Sequence, residues 1–352
     1  MKKIYKILLA CLCSLVIIGS GLAIGLTSGK KKDYSVIEIN EVTHSIFYAP
    51  FYAAINLGYF QEQGLTINLT NGGGSDVSMT SLISGGSDII LAGPETVVYA
   101  SQEGFVDQPQ VFGQLTQTDG SFIITRDSAI TPDNFSIEDL EGETIIGGRA
   151  GGLPAMTLEY VIKKHYQIGT GENEVNLRTD VAFNNISSAF YEDESVKFCT
   201  LFEPTATAFV TEHPEFSIVG SVAELLGDET IPYTCFIAKS SYLKDHSDIA
   251  EKFLTAIIKA RLYLENCVST NDLTSAANAL KDSFSSMTMD ELKVSIEQYV
   301  SINAWTDNPE MSLASFNKLI EVCSGAGMTN ATTNYSKVVN TSIAKKVMEN
   351  IE

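Results

Sequence analysis

The sequence predicts an α/β protein of two domains, each a mixed, mostly parallel sheet flanked by helices, followed by a helical C-terminal tail. Three observations carry this. Short apolar strand patterns alternate with helical ones from residue 34 to about residue 126. The alternation restarts after a polar stretch around Pro132 and runs to about residue 236. From Ser241 onward the apolar spacing is helical almost to the end. The 352 residues leave room for two domains and a leader.

Taken in order, residues 34–42 alternate apolar and polar side chains and read as a strand. A loop, Thr43–Tyr48, leads to a helix opened by Ala49-Pro50, with Phe51, Ala54 and Ile55 as its buried stripe. Strands follow at 65–69, 88–91, 111–115 and 121–125, with helices from Ser75 and from Glu95 between them. After the reset, a short capped helix at 136–140 precedes a strand at 143–146. A glycine-rich turn, Gly147–Pro154, then opens a helix over 155–165. Strands at 175–180, 197–201, 216–220 and 231–238 alternate with helices at 184–190 and from Thr205 to about Thr211. The tail holds candidate helices at 243–265, 273–284, 290–299, 312–322 and 335–349. This layout implies a discontinuous first domain, 33–126 with 237–352, and a second domain, 127–236. The chain crosses between them near Arg126–Ser128 and Pro232–Phe236, which creates an inter-domain cleft that can close about a hinge.

A net charge of −20 argues against nucleic acid and anionic lipid as partners. Lys2, Lys3 and Lys6 precede an apolar run from Ile7 to about Thr27, and Lys30–Lys32 follow it. Residues 1–32 therefore read as a cleaved secretory signal, a retained membrane anchor or, third, a lipidated leader. Ala23 offers a cleavage position, and Leu9-Ala10-Cys11 has a lipidation-like look with too little apolar chain before it. Each reading places the remainder outside the cytoplasmic membrane. Cys199, Cys235, Cys267 and Cys323 form no CxxC and accompany no histidine cluster, so buried thiols are expected and a metal site is not. A Cys267–Cys323 bridge between tail helices is the alternative left open.

Four strand-end or helix-start loops offer ligand groups through backbone N–H donors. They are Thr43–Tyr48, then Gly93-Pro94-Glu95-Thr96 backed by Gly72–Ser75, then Gly147–Gly152, then Phe202-Glu203-Pro204-Thr205. Ser75 is the one side chain of the first glycine run expected to face a ligand. Phe47, Tyr48, Phe122, Phe183, Phe190 and Tyr233 are candidate flat walls, against the plainer expectation of core packing. The run GGRAGG is not a phosphate loop, because it lacks GxxxxGK[ST].

Residues 44–69 (HSIFYAPFYAAINLGYFQEQGLTINL), 73–96, 144–160 (TIIGGRAGGLPAMTLEY) and 201–206 (LFEPTA) carry a resemblance. Together they resemble the solute-binding proteins of ABC importers, in the group for nitrate, taurine, aliphatic sulfonates and thiamine-pyrimidine precursors. The resemblance covers roughly residues 36–260 and implies a two-domain periplasmic-binding-protein-like fold of type II. It implies a monomer that captures a small molecule and delivers it to a membrane permease with its ATPase, needing no cofactor. It places first-loop contacts on Thr43, His44, Phe47 and Tyr48, and strand-end contacts on Gly93, Pro94 and Glu95. Second-domain contacts fall on Gly148, Arg149, Gly151 and Gly152, and the acidic-proline turn on Glu203-Pro204.

The ligand does not follow from the resemblance. Arg149 and Arg126 are the cations near these loops, while Glu95 and Glu203 would repel an anion. Aromatic walls with carboxylates suit a flat neutral or protonated heterocycle, a pyrimidine-like thiamine precursor. Taurine, an aliphatic sulfonate or nitrate is the alternative. A thiamine-pyrimidine biosynthetic enzyme using His44, or an extracytoplasmic sensor, stands as a further alternative, though no nucleophile–base pair supports an enzyme. Charge reversal at Glu95 or Glu203 is expected to weaken ligand binding without unfolding the protein.

Overall fold

The computed structural model describes residues 35–168, 171–327 and 333–351. The leader with Cys11 and Cys13 lies outside the described residues. Strand β1 (Ser35–Glu41) buries Ile37 and Ile39 and exposes Glu38, the alternation of a strand covered on one face. A 3₁₀ turn, Ile46–Tyr48, is capped by Ser45, whose Oγ accepts from the Phe47 N–H at 3.1 Å. Then come α1 (Ala49–Asn56), with Pro50 in its first turn, α2 (Tyr59–Glu62) and β2 (Leu65–Asn71). Helix α3 (Ser75–Ser84) stops at Gly85, and the next N–H, of Gly86, returns 2.8 Å to the Ser81 carbonyl. Strand β3 (Ile89–Ala92), at the centre of its sheet, is wholly buried. Helix α4 (Glu95–Glu103), β4 (Pro109–Thr116) and β5 (Ser121–Thr125) follow.

The second half runs β6 (Thr144–Ile146), α5 (Leu153–Tyr160), β7 (Asn176–Arg178), α6 (Ile186–Glu192) and β8 (Phe198–Phe202). It ends with α7 (Thr205–Glu212), β9 (Ser217–Ser221), α8 (Val222–Leu226) and β10 (Thr234–Lys239). Before it, the reciprocal capping box of Ser136 and Asp139 starts a 3₁₀ turn at Ile137–Leu140. Helix α5 does not stay α-helical to His165. Residues Val161–Tyr166 widen into a π-turn.

Two five-stranded sheets result, ordered β2-β1-β3-β10-β4 and β7-β6-β8-β5-β9. In the first, β1 pairs in parallel with β2 and β3, and β10 enters antiparallel between β3 and β4. In the second, β6 pairs in parallel with β7 and β8, and β5 runs antiparallel to β8 and β9. Each sheet therefore takes one strand across the boundary, β10 into the first and β5 into the second. The sequence reading left β5 with the first domain and put the crossing near Arg126–Ser128. The chain instead leaves the first sheet between Thr116 and Ser121. The strand pattern of β5 marks it as buried but carries no record of which sheet buries it. Gly120 sits in this crossing, where a Cβ would lie 2.7 Å from the rings of both Phe47 and Phe202.

The tail comprises α9 (Ser240–Asp245), α10 (Ser247–Ser269), α11 (Leu273–Leu280), α12 (Met289–Ser301), α13 (Leu313–Gly325), α14 (Tyr335–Val338) and α15 (Ser342–Ile351). Two expected helices are broken. His246 leaves the helical conformation between α9 and α10, and Val339 forms a β-bridge with Val111 between α14 and α15. Helix α10 covers the first sheet, with Phe253 packed among Phe51, Phe60, Phe112 and Phe236. Helix α13 packs instead on α5 of the second lobe. There Lys318 lies 3.1 Å from the Tyr160 hydroxyl, 3.2 Å from Glu229 and 2.9 Å from Glu321. The tail thus straddles both lobes. Cys267 and Cys323 are unpaired buried thiols, as are Cys199 and Cys235, so the bridge left open is absent. Among the described residues no helix is long and apolar enough to cross a membrane.

Candidate functional site

The carboxyl ends of β1, β3 and β8 and the starts of α3, α4 and α5 meet in one chamber between the two sheets. That is where ligands sit in open α/β sheets. Thr43 and Val42 come from the end of β1, and Gly74 and Ser75 from the start of α3. Gly93 and Glu95 come from the turn after β3. The second lobe contributes Arg149, Gly152, Leu153 and Pro154 from the turn after β6, with Phe183 and Phe202. Tyr233 and Thr234 enter with β10.

Aromatic rings wall the chamber edge to face. Phe47 meets Phe202 at 5.3 Å and 75°, and Tyr233 at 5.7 Å and 81°. Phe183 meets Phe202 at 5.3 Å and 64°. The Tyr233 hydroxyl donates to Asp119 at 2.8 Å, and Ser121 donates its N–H and hydroxyl to the same carboxylate. Burial pushes Asp119 up to about 6, against the pull of those donors.

Glu95 is the central polar group. It is the first residue of α4, is 1 % exposed, and has an Oε2 without a hydrogen-bond partner. A Cβ at Gly93 would lie 2.0 Å from that oxygen, so only glycine lets the carboxylate fold back over the turn. Burial raises its pKa to about 7. Its own N–H, the Arg149 charge and the Leu153 N–H act in the opposite direction. Helices α3, α4 and α5 all begin here without a side-chain cap, at Gly74, Pro94 and Gly152. Three partial positive ends therefore converge, and Glu95 supplies an acid among them. Arg149 pairs with Asp76 of α3 at 3.0 Å, an ion pair between the lobes.

Of the residues expected from sequence, Thr43, Phe47, Tyr48, Ser75, Gly93, Glu95, Arg149, Gly152, Phe183 and Tyr233 line this chamber. Pro94 and Gly148 do not, and Thr96 and Gly151 line the adjoining space. His44 turns away. Its Nδ1 lies 3.0 Å from Glu41 and its Nε2 lies 2.9 Å from the Ser283 carbonyl, with its ring stacked on Phe284. Glu203 is fully buried outside the chamber and accepts from the Thr207 N–H at 3.2 Å, the Thr207 hydroxyl at 2.7 Å and Ser295 at 3.3 Å. It lines a smaller adjoining space with Thr43, His44, Phe183 and Phe202, where Thr207 and Ser295 already occupy its carboxylate. Arg126 is also spent elsewhere: it donates to the carbonyls of Val196, Asp193 and Phe190 and lies over the Phe190 ring. Sequence reasoning placed Phe202 and Gly74 in candidate loops without assigning them a contact, and missed Val42, Leu153, Pro154 and Thr234 as lining residues. All are neighbours of expected positions at a strand end or helix start, and that adjacency was the available signal. Among the described residues no group of His, Cys, Asp or Glu is arranged to hold a metal ion.

Comparison with known proteins agrees with this architecture. Residues 46–266 match the model of the family described as NMT1/THI5 like. YtlA of Bacillus subtilis strain 168, which bears the provisional name of a binding protein, is 38% identical over 313 residues, 88% of this chain and 89% of its own. The ligand-binding component of an ABC-type import system from Staphylococcus aureus, solved with zinc bound, superimposes with a TM-score of 0.66 at 14% identity, covering 89% of this chain and 99% of its own. The nitrate-binding protein NrtA from Synechocystis PCC 6803 superimposes with a TM-score of 0.69 at 12% identity, covering 91% and 90%. At such identities the two structures show the shared periplasmic-binding-protein fold alone. The match over most of its length and the identity to YtlA place this chain in the NMT1/THI5-like family.

Proposed function

We propose that this chain is the extracytoplasmic solute-binding component of an ABC importer, taking a small flat heterocycle of the pyrimidine type that donates N–H groups to Glu95. The observation that carries this is the buried Glu95 carboxylate with an unpartnered oxygen, in a chamber walled by aromatic rings. Rings stack on such walls, and a ring N–H satisfies the free acceptor. The lobe of β1–β4 with β10 and the lobe of β5–β9 act as two domains that close on the ligand. A permease and its ATPase receive it, and the leader delivers or holds the protein outside the cytoplasmic membrane. The import role is the one named for the S. aureus structure of the same fold. The placement of His44, outside the chamber and bonded at both ring nitrogens, supports binding without catalysis.

An anion such as nitrate, taurine or a sulfonate is the second reading, favoured by the three uncapped helix starts. Glu95 separates the two by sign. Raising the pH through about 7 ionises Glu95. A neutral N–H donor then binds more tightly, and an anion binds more weakly. The test is a thermal-shift screen of pyrimidines, thiamine, flavins, taurine, alkylsulfonates and nitrate, followed by calorimetry at pH 6 and pH 8. Non-titrating pyrimidine donors should raise the melting temperature and tighten toward pH 8. If only the anions shift the melting, and loosen toward pH 8, the heterocycle reading is wrong.

A further inference from the structure

We infer that the ligand site has a second compartment, on the outer side of the Arg149–Asp76 pair, that receives an uncharged apolar or aryl extension of the ligand. The inference rests on the cleft reading above and names the ligand's second part. The inner chamber leaves only about 60 Å³ of free space, whereas the adjoining space holds about 360 Å³. The two adjoin, with Ser75, Glu95 and Arg149 lining both. A ligand confined to the chamber would be a compact ring. The space beyond the ion pair is the larger of the two, and Glu95 lines it as well.

The walls of the outer compartment state its chemistry. Met79 and Ile83 project from α3, and Tyr99 and Ala100 from α4. Phe105 stands at the rim, 38% exposed, which is unusual for so large an apolar side chain. The second lobe closes the far side, where the Tyr99 hydroxyl donates to the Gly151 carbonyl at 3.2 Å. Both lobes therefore bound the compartment, as they bound the chamber. Hydrocarbon gains there by leaving water. The exposed Glu103 and Asp76 lie at the margin and disfavour an anionic tail. The shared Glu95 oxygen, still without a partner, fixes the polar head at the junction. The ligand class is a donor head with a short, uncharged hydrocarbon or aryl tail.

The test uses two homologous series, 5-alkyl-4-aminopyrimidines from methyl to hexyl and n-alkanesulfonates from methyl to octyl, titrated by calorimetry into the full chain. In whichever series binds, affinity should rise roughly three- to fourfold per methylene over the first few carbons. Ala100→Phe, which projects a ring into the compartment, should abolish that gain. Ile83→Lys, at a half-buried position, should abolish it too and keeps the test intact if Ala100→Phe fails to fold. Binding that ignores chain length, or a gain that survives in a folded variant, overturns the second compartment and leaves the cleft reading standing. If no member of either series binds, the cleft reading and the second compartment fall together.

Discussion

Glu95, the first residue of α4, and Leu153, the first residue of α5, line the same chamber from opposite lobes. An acid of one lobe thus shares a chamber with a helix start of the other. An anion-binding cleft would hold its ligand at such a place. Here the chain places its own acid there, and burial keeps that acid half-protonated near neutrality.

This has a consequence for stability. The folded pKa of Glu95 is raised to about 7, above the ordinary glutamate value, so the folded state binds the proton more tightly. That contribution is fully present below the unfolded pKa and is lost as pH rises through the folded one. The loss is on the order of 3 kcal/mol between about pH 4.5 and pH 7.5. Asp119, raised to about 6, adds a fall of the same sign at lower pH. Glu95→Gln should remove its share of the decline across about pH 4.5–7.5 and leave the smaller shares of Asp119 and His44. Urea melts at successive pH values measure this, and an unchanged slope above pH 6 would show that Glu95 is solvated.

Glu203 behaves otherwise. Its carboxylate is buried and satisfied by Thr207 and Ser295, and its backbone N–H donates to the Tyr299 hydroxyl at 2.9 Å. Glu203→Lys buries an unpaired cation and should cost at least about 3 kcal/mol, enough to unfold a marginal domain. The expectation of weakened binding without unfolding is therefore not kept for Glu203→Lys. Circular dichroism of Glu203→Lys decides this, and a native melting temperature would contradict the burial.

Two chamber rings should separate stability from binding. Phe47 is 1% exposed and packs on Tyr48, Phe202, Tyr233 and Tyr299. Phe47→Ala should cost about 3–5 kcal/mol. Phe183 is half-buried, so Phe183→Ala should cost only about 1 kcal/mol and weaken a stacked ligand by roughly two- to tenfold. Paired denaturation and calorimetry would expose a reversal of the two.

The Arg149–Asp76 pair is partly exposed on both sides. Asp76→Asn should therefore change stability by less than about 1 kcal/mol. It frees Arg149 toward the chamber, so nitrate affinity should rise. A large loss of stability with unchanged nitrate binding would make the pair a structural one.

His44 ties the first ligand loop to the tail. When protonated, both ring nitrogens donate, to Glu41 and to the Ser283 carbonyl, while Tyr52 donates to the other Glu41 oxygen. The Glu41 hydrogen bond raises the His44 pKa, against partial burial. The tether's contribution is complete below the ordinary histidine value and is lost as pH rises through the raised one. An NMR titration should place the His44 midpoint above 6.5, the ordinary value. His44→Gln should remove the matching alkaline decline in stability. A midpoint at or below the ordinary value would mean that the tether does not favour the imidazolium.

Much of the architecture was legible before any coordinates. Strand β1 was readable because Ile37 and Ile39 alternate with Glu38, and α1 because Pro50 suits only a first turn. Periodicity records which face of a segment is buried, and turn residues record backbone constraints. Neither records a partner. The broken helix at Val339 shows this: its local spacing is helical, and a bridge to Val111 overrides it.

By itself, then, the sequence determined the α/β alternation, the loops at strand ends and the helical tail, because each depends on side chains a few residues apart. Only the tertiary structure decided which of those loops share a chamber. It sent β5 to the second sheet, turned His44 toward Glu41 and Ser283, and sealed Glu203 among Thr207 and Ser295. It left Glu95 buried with one oxygen unmatched. Whether a carboxylate is solvated, paired or stranded depends on groups that arrive from distant parts of the chain, and only the folded packing brings them there.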